Sequence, residues 1–494
     1  MIFWERSETM TNWNTQDFDD TSPGIRRGMN REIFVVTLIF VLIFVGIAAY
    51  YILYVNVWSG DYLTSTYNTR QNLNAERVER GDILARDGTV LVTTRIEDGE
   101  QVRVYPYGEE YAQVLGYSTH GKSGVERAFN YYLLSSHVNL FEQIRNTARG
   151  DLQPGDSVVT TLDPELQDIA YRALSRYEGG AVVALDPNTG EILCMASYPS
   201  YDPNEIADIW DRINADTASS VLVNRATSGY YMPGSTFKIV TALASIRQMG
   251  ASVQDTFTYD CGGVITAEDY SVRCNDSTAH GTVGFRSAFA QSCNGAFISL
   301  GLQLDRDQWA DTAEDLLYNA SIDFELSEAS GRFALNGDSG TWETMLTSIG
   351  QGSTVVTPLQ NALIAAAVAN DGVVMRPRIV SGIVTSGGSN VRSFGPSVMT
   401  TAMTEAESDI LTDMMIAVVN EGTARILRSD AYQAAGKTGT AENTSAEGDA
   451  NALFTGFAPA DDPQIVVSVV IEGGGSSYGA ATSIARDIFD AYLT

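Results

Sequence analysis

The sequence predicts an α/β (α+β) fold: an antiparallel sheet with helices on both faces, preceded by a small α+β module and one transmembrane helix. Residues 33–55 carry no charged side chain and are long enough to cross a hydrocarbon core of roughly 30 Å. Residues 180–196 form two apolar runs separated by the turn Pro187-Asn188-Thr189-Gly190, a pattern typical of a hairpin. Residues 465–471 have the pattern of a further buried strand, and residues 480–493 that of a terminal helix. The sheet is therefore expected to draw its strands from both ends of the main domain.

The uncharged run predicts how the chain lies in a membrane. Residues 1–32 are polar and are expected to be a disordered cytoplasmic tail, because Arg26, Arg27 and Arg31 lie on that side of the run. Everything after Val55 is then outside the cytoplasm. A cleaved signal peptide would have a shorter apolar region and a small-residue cleavage site. The length of the run also argues against a buried core helix.

Composition excludes several classes of partner. The chain has 494 residues and a net charge of −30, with a pI of about 4.3. Binding to nucleic acid or to an anionic membrane surface needs clustered lysine and arginine, so neither is expected. Apolar residues make up 44% of the chain, which indicates a globular protein with room for two or three domains.

The part of the chain after the membrane run is expected to form two domains. Residues 56–155 are rich in turns, with alternating valines at 90, 92, 102 and 104, and predict a small, non-catalytic α+β module that stands on the membrane. Residues 156–494 are expected to form the main domain. It begins with a strand-like segment at 156–163 and an amphipathic helix from Pro164 to Tyr177.

The segment from Tyr231 to Lys238 predicts a nucleophile. Pro233-Gly234 interrupts the chain, and the apolar run from Ile239 to Ile246 predicts a buried helix directly afterwards. Ser235 would then lie at the helix N-terminus, where unpaired N–H groups stabilise developing negative charge. Lys238 follows one turn later on the same face. A buried lysine has a lowered pKa, so its neutral amine can take the proton of a serine hydroxyl.

Lysine is rare in this chain, which makes Lys238 more informative. Of 31 lysines and arginines, only three are lysines: Lys122, Lys238 and Lys437. Arginine stays protonated and cannot act as a base, so a lysine kept in such a chain is a candidate for chemistry that needs a titratable amine.

Two further motifs complete the candidate site. Ser292-Cys293-Asn294 follows an apolar segment and supplies a hydroxyl and an amide. Residues 434–442 combine short side chains and glycines around Lys437, which suits an edge strand that a substrate backbone can approach closely. Lys437, Thr438, Gly439 and Thr440 offer a cation, hydroxyls and N–H groups to a terminal carboxylate. Either motif alone occurs by chance, but the order S-x-x-K, S-x-N, K-T-G is specific.

Histidine and cysteine predict neither a metal centre nor a cofactor site. His120, His137 and His280 are too scattered for metal ligands or a Ser-His-Asp arrangement. Cys261 and Cys274 lie in a polar, glycine-containing stretch that predicts a hairpin or loop. Whether their thiols form a disulfide is open, and an extracytoplasmic location would favour one. Cys194 and Cys293 are expected to be small buried residues.

In this order the three motifs resemble those of the penicillin-binding proteins. The single anchor and the non-catalytic module resemble the class B, monofunctional transpeptidases of the compact penicillin-binding protein A type. The resemblance covers nearly all of the chain after the membrane run. It implies a penicillin-binding, serine β-lactamase-like transpeptidase domain at residues 156–494, in the plasma membrane of a bacterium. Further segments that resemble the family are Arg80-Gly81-x-Ile83, Arg86-Asp87-Gly88, Gly124-Val125-Glu126, Asn224-Arg225-Ala226, Gly350-Gln351-Gly352, Thr357-Pro358-Leu359-Gln360 and Thr455-Gly456-Phe457-Ala458-Pro459.

The resemblance also implies roles for the site residues. Ser235 would attack the bond between two D-alanines of a peptidoglycan stem peptide, with Lys238 as the base. Ser292 would relay protons, Asn294 would bind the substrate backbone, and Lys437 would hold the electrostatics of the network. Thr438 and Thr440, with Gly439 between them, would bind the terminal carboxylate. The oxyanion hole would consist of the backbone N–H groups of Ser235 and Thr440.

The implied partners are stem peptides of lipid II-derived glycan, β-lactams as covalent inhibitors, and a polytopic lipid-II glycosyltransferase. Two alternatives stay open at this point. The same Ser-Lys chemistry with water as acceptor would give a D,D-carboxypeptidase or a β-lactamase, although neither needs the anchor and the module. A non-catalytic cell-wall scaffold would normally have lost a motif residue, and here all three motifs are complete.

Overall fold

The structure, a computed structural model, describes residues 23–53, 77–216, 220–442, 450–475 and 479–494. The chain divides into two units at residues 68 and 69. The first unit contains the helix Pro23–Leu53, whose segment Arg31–Tyr51 is long and apolar enough to cross a membrane. The helix begins before the predicted span, so residues 23–32 of the expected disordered tail are helical, whereas residues 1–22 lie outside the described residues.

The second unit contains strands that fall into one five-stranded sheet, one six-stranded sheet and several pairs. The described strands are β1 (Val78–Glu79), β2 (Ile83–Leu84), β3 (Val90–Glu97), β4 (Glu100–Val104), β5 (Gln153–Pro154), β6 (Ser157–Thr160), β7 (Gly179–Leu185), β8 (Ile192–Tyr198), β9 (Thr258–Cys261), β10 (Val264–Ala267), β11 (Tyr270–Arg273), β12 (Gly281–Gly284), β13 (Val373–Met375), β14 (Val380–Val384), β15 (Asn390–Ser393), β16 (Val398–Thr401), β17 (Ala435–Glu442), β18 (Ala450–Ala458) and β19 (Ile465–Glu472).

The α-helices of this unit are concentrated between β8 and β17. Those described are Ala112–Leu115, Gly124–Ala128, Asn130–Leu133, Leu140–Arg149, Pro164–Leu174, Ile206–Ala215, Arg225–Ser228, Lys238–Met249, Val253–Thr256, Phe285–Ala290, Asn294–Gly301, Arg306–Asp315, Thr341–Thr347, Pro358–Ala369, Glu405–Asn420 and Ala480–Leu493.

The five-stranded sheet has the order β17-β18-β19-β7-β8, and every neighbouring pair is antiparallel. The hairpin β7–β8 comes from the start of the main domain, whereas β17, β18 and β19 come from its end. This confirms the predicted assembly from both ends. The predicted helix from Pro164 to Tyr177 is also present, ending at Leu174.

Helices cover both faces of this sheet. Every residue of β7 is buried, as is every residue of β19 except the last, which requires cover above and below because side chains alternate between faces. The helices Pro164–Leu174 and Ala480–Leu493 pack against the sheet and against each other. The helix Pro358–Ala369 is bonded to the sheet through Asn361, whose carbonyl accepts a hydrogen bond from the Thr455 hydroxyl at 2.9 Å.

The six-stranded sheet joins the N-terminal module to the main domain. Its order is β15-β14-β6-β2-β3-β4. β6 pairs on one side with β14 of the main domain and on the other side with β2, which lies before residue 105. The alternating valines predicted β3 and β4 correctly. The domain boundary expected between residues 155 and 156 stays a prediction. The six-stranded sheet contains strands from both sides of that boundary.

A buried ionic cluster holds the module together. Glu126 is fully buried, and its carboxylate accepts hydrogen bonds from Arg80 Nε at 2.8 Å and Arg103 Nε at 2.6 Å. Arg80 Nη1 also donates to Asn130 Oδ1 at 2.7 Å. Burial opposes ionisation of the carboxyl, but attraction to Arg103 and Arg80 outweighs it and lowers the pKa of Glu126 to about 2.

Glu126→Gln is expected to lower the free energy of unfolding by about 3–5 kcal/mol, because it leaves two buried guanidinium groups without their anion. Chemical denaturation of the purified protein measures this. Asp168→Asn is the control, since Asp168 pairs with Arg172 at 2.7 Å on an exposed helix face, where a pair contributes only about 0.5 kcal/mol. Equal losses in the two variants would show that the cluster adds nothing beyond a surface ion pair.

Candidate active site

Ser235 lies in a single 3-10 turn, Gly234–Phe237, that runs directly into the helix Lys238–Met249. The predicted buried helix is therefore present, and Ser235 and Lys238 sit one turn apart at its start. Gly234 has φ of 53°, and a Cβ at this position would lie 2.4 Å from the carbonyl oxygen of Thr440. Only glycine allows the nucleophile turn to approach the edge strand this closely.

Lys238 connects all the predicted catalytic groups. Its side chain is fully buried, and Nζ lies 3.0 Å from Ser235 Oγ and 3.1 Å from Ser292 Oγ. Nζ also donates to the Ser292 carbonyl and to Asn294 Oδ1, both at 2.8 Å. A neutral amine has two N–H bonds and one lone pair. If these two acceptors take the N–H bonds, the lone pair is left facing the hydroxyl of Ser235.

The electrostatics of the site favour that neutral form. Burial lowers the pKa of Lys238 to about 7. Burial, and next the charge of Lys238, lower the pKa of Lys437 well below its ordinary value. The two amines share Ser292 Oγ, which lies 3.0 Å from Lys437 Nζ, so charging both at once is costly.

Acylation is therefore expected to depend on pH in one direction. The base is the neutral amine, so the acylation rate should rise about tenfold per pH unit below pH 7 and level off above it. The second-order rate constant for benzylpenicillin, measured by quenched mass spectrometry between pH 5 and 9, checks this. A rate that stays flat through the acidic half of that range would contradict a base with this pKa.

Ser292 and Asn294 flank the junction between the helices Phe285–Ala290 and Asn294–Gly301. Ser292 has φ of 56°, a conformation that costs a non-glycine residue about 1–3 kcal/mol and is concentrated at functional sites. It points the hydroxyl between the two lysines. Asn294 donates its amide to the carbonyl of Arg273 at 2.9 Å, which fixes the side chain toward the cleft.

Lys437, Thr438, Gly439 and Thr440 lie on β17, the edge strand of the five-stranded sheet, as the sequence predicts. Since β17 pairs on one side with β18, its other side faces the nucleophile turn. Gly439 lies close to that turn, because a Cβ there would meet the Pro233 carbonyl at 2.9 Å. The backbone N–H groups of Ser235 and Thr440 are thus carried by two segments in close contact, as an oxyanion hole requires.

The site opens into a cleft of about 660 Å³. From the sequence alone, Gln351 was named only within a segment that resembles the family, without a role, and Thr423, Arg273 and Trp342 were missed. Gln351 donates its side-chain amide to the Thr440 carbonyl at 3.2 Å, and the hydroxyls of Thr423 and Thr438 are 2.5 Å apart. Arg273 and Trp342 line the cleft wall. Thr423 follows Gly422, where a Cβ would lie 2.0 Å from the Ala290 carbonyl, so only glycine allows this close approach to the helix Phe285–Ala290. Asp276 is the only carboxylate among the described residues that line this cleft.

Cys194 and Cys293 are buried, as expected, and the Cys261–Cys274 disulfide stays a prediction. Cys261 and Cys274 lie at the ends of β9 and β11, in the predicted hairpin region, but their sulfurs are 3.6 Å apart and both thiols are free. A disulfide would need about 2.05 Å. Cys261 also contacts His280 Nδ1 at 3.4 Å, and Cys274 contacts Cys293 at 3.9 Å, so neither thiol is committed to the other.

Two family models match this chain. The model for the penicillin binding protein transpeptidase domain matches residues 180–490, and the model for the penicillin binding protein A dimerisation domain matches residues 80–158. The first match contains every residue of the Ser-Lys network. The second contains the buried cluster around Glu126.

Similar proteins span most of the chain. A peptidoglycan D,D-transpeptidase PbpA of Mycolicibacterium smegmatis is 34% identical over 441 residues, covering 84% of this chain and 88% of its own. The PbpA of Mycobacterium tuberculosis is 32% identical over 461 residues, covering 86% and 91%.

Two solved structures are similar to this one over most of the chain. The ceftriaxone acyl-enzyme of M. tuberculosis penicillin-binding protein A superimposes with a TM-score of 0.78 at 30% identity, covering 85% of this chain and all of that one. The D,D-transpeptidase domain of a peptidoglycan glycosyltransferase from Eggerthella lenta gives 0.76 at 32% identity, covering 84% and 98%.

Proposed function

We propose residue roles from one premise: this chain belongs to the penicillin-binding protein transpeptidases, whose domain model matches well over half of it. It is a serine-type peptidoglycan D,D-transpeptidase that binds β-lactams, with an N-terminal helix that suits a single-pass membrane anchor. The observation that carries the residue roles is the position of Lys238 Nζ, 3.0 Å from Ser235 Oγ and 3.1 Å from Ser292 Oγ.

In the proposed acylation step, Ser235 Oγ attacks the carbonyl carbon between the two terminal D-alanines and its proton passes to Lys238 Nζ. The oxyanion accepts hydrogen bonds from the N–H groups of Ser235 and Thr440, each typically contributing about 3 kcal/mol. The C–N bond then breaks, and the departing D-alanine takes a proton as its amine forms. Ser292 Oγ, in contact with both lysines, relays that proton.

In the proposed second step, the amine of a neighbouring stem peptide attacks the acyl carbon. The amine loses one proton to the network, the bond to Ser235 Oγ breaks, and the serine regains its hydrogen. Asn294 would bind the backbone of the stem peptide that acylates Ser235. Thr438, Gly439 and Thr440 would bind the terminal carboxylate of that peptide. Lys437 would set the electrostatic environment of the Ser292 hydroxyl, which its Nζ contacts.

The hydrolytic alternatives have less support in the cleft. A β-lactamase needs a second base to activate water for deacylation, commonly a glutamate. Among the described residues that line the cleft, Asp276 is the only carboxylate, and it lies exposed in a turn. We therefore expect water to hydrolyse the acyl-enzyme slowly, so that the acyl-enzyme persists until the amine of an acceptor attacks it.

Intact mass of the full-length chain in detergent, mixed with benzylpenicillin, tests this. We expect one adduct that maps to the peptide containing Ser235 and persists for many minutes. Drug consumption without a lasting adduct would favour the hydrolase reading, and neither adduct nor turnover would favour a scaffold.

We also propose that the N-terminus is cytoplasmic and that the anchor and the module at residues 56–155 contact a polytopic lipid-II glycosyltransferase. The arginines that precede the uncharged run at residues 33–55 and the separate N-terminal match at residues 80–158 support this. Replacing residues 33–55 and 56–155 with unrelated sequence should abolish co-purification with that partner. Unchanged co-purification and wall synthesis would rule the contact out.

A further inference from the structure

The helix Leu140–Arg149 in the N-terminal module packs by its polar side and turns its apolar side to solvent. Leu140, Phe141 and Ile144 form an apolar face, and they are 68%, 87% and 57% exposed. The buried residue of this helix is the polar Asn146. At 3.6 residues per turn, the apolar face spans about 100° and Asn146 lies on the opposite side. A surface helix of a globular protein normally has the reverse pattern.

Hydrogen bonds fix the helix in this orientation. Asn146 Nδ2 donates to Gln153 Oε1 at 3.4 Å, and Gln153 Nε2 donates to the Gln143 carbonyl at 3.2 Å. The start of the helix is capped, because the Asn139 side chain accepts a hydrogen bond from the Glu142 N–H at 3.0 Å. The outward position of the apolar face therefore follows from specific contacts on the polar side.

The apolar face is unusual within this protein. No other α-helix in the described part of the second unit exposes large apolar side chains to this extent. Phe141 is also more exposed than any large apolar side chain described in the segment Arg31–Tyr51. Single exposed apolar residues are ordinary, but several on one face indicate a surface that binds something.

The helix lies beside the point at which the chain enters the module. Arg77 is the first described residue of the second unit, and its carbonyl accepts a hydrogen bond from the Gln153 N–H at 3.1 Å. Gln153 thus contacts both the entering chain and the helix. In the sequence, residues 54–76 separate this entry point from the apolar helix that ends at Leu53, and they can extend over at most about 85 Å. Such a tether favours contacts with lipid that would be too weak alone.

The charged residues of the helix suit the boundary between lipid headgroups and acyl chains. Arg145 and Arg149 border the apolar face, and Glu142, the one acidic residue of the helix, pairs with Arg145 at 3.6 Å. An apolar face bordered by arginine is typical of helices that lie in a membrane interface. The net charge of −30 opposes adsorption of the chain to anionic lipid, so insertion of the apolar face has to supply the binding.

A second copy of the chain fits this surface less well. The three apolar side chains together present fewer than about 500 Å², whereas each partner of a stable protein interface buries about 800 Å². Insertion into lipid needs no such area, because a few apolar side chains and a tether are sufficient.

We propose that the helix Leu140–Arg149 lies in the membrane interface, with its apolar face inserted among the acyl chains and its two arginines at the lipid phosphates. This contact would hold the N-terminal module against the membrane in addition to the covalent anchor. It does not depend on the proposed acyl transfer.

Photo-crosslinking of the full-length chain in nanodiscs of phosphatidylcholine and phosphatidylglycerol tests the contact. p-Benzoylphenylalanine in place of Phe141 reacts with neighbouring C–H bonds, and mass spectrometry identifies what it has joined. We expect phospholipid adducts at a yield at least about tenfold above that from the same group in place of Glu142. Glu142 is the matched control, because it has the same tether as its neighbour Phe141 but lies on another side of the helix.

The combined substitutions Leu140→Ser and Ile144→Ser should lower the lipid adduct from position 141 by about tenfold, because less apolar area is inserted. Thr147→Ser keeps its hydroxyl and should leave the yield unchanged. Each variant should be acylated by benzylpenicillin at the wild-type rate, which shows that the main domain is folded.

Equal lipid yields from positions 141 and 142 would overturn the proposal, because they would indicate chance collision. Adducts between position 141 and a second copy of the chain would overturn it as well. The same experiment in native membranes covers the remaining occupant: cross-linking of position 141 to another membrane protein, in place of lipid, would assign the apolar face to that partner.

Discussion

Lys238→Arg is expected to lower the rate of acylation by benzylpenicillin by about 1000-fold or more, although the positive charge is retained. General bases typically contribute 10²–10⁴-fold, and a guanidinium has no lone pair to accept the proton of Ser235. Lys238 is fully buried, with Nζ 5.6 Å from the centre of the Phe297 ring, so the longer guanidinium also has little room. The measurement is the second-order acylation rate constant, with Ser235→Ala as the blank.

Lys122→Arg is the matched control, because Lys122 is the lysine outside the site and should tolerate the change. The thermal midpoint of each variant separates loss of chemistry from loss of folding. Acylation within a few-fold of wild type in a folded Lys238→Arg protein would remove this lysine from the role of base.

Gly234→Ala is expected to lower the acylation rate by about 100-fold, because a misplacement of about 1 Å between reacting groups has that effect. The new Cβ would lie 2.4 Å from the Thr440 carbonyl oxygen, which is backbone and cannot rotate away. β17 would have to move from the nucleophile turn, carrying the Thr440 N–H away from that of Ser235. Substrate binding through Thr438 and Thr440 should weaken at the same time.

Gly88→Ala separates the steric effect from the cost of a positive φ. Gly88 has φ of 87°, but a Cβ there meets nothing within 4 Å. Both variants should lose about 1 kcal/mol of stability from backbone strain, and only Gly234→Ala should lose acylation. If both acylate like wild type, the close approach of turn and strand is not needed for the oxyanion hole.

The placement of the proposed catalytic residues could be predicted because these residues lie in short motifs. Ser235 and Lys238 need only one helical turn between them, and Lys437 needs only an edge strand, so local patterns were sufficient. The sheet built from both chain ends was also predictable, since strands such as β7 and β19 are continuously apolar.

The remaining features depend on contacts between distant segments. Thr423 meets Thr438 only because a helix end packs against β17, and no spacing in the sequence signals this. The proximity of Cys261, Cys274, His280 and Cys293 likewise joins separate strands and a loop, so no short spacing in the sequence predicts it. The sheet across the expected domain boundary likewise depends on a distant contact, because β6 of the main domain pairs with β2 of the N-terminal module.

The strand order β17-β18-β19-β7-β8 also sets when a newly made chain first becomes sensitive to antibiotics. β7 emerges early in synthesis, but its partner β19 is among the last segments to appear, so one apolar edge of β7 waits unpaired. Pairing at such sequence separation is slow and exposes the chain to aggregation before the sheet is complete. Until β19 arrives, the β17–β18 pair has no strand that links it to β7, so Lys437 is not held beside Ser292 by the sheet. We therefore expect chains that end before β19 to be unreactive toward β-lactams.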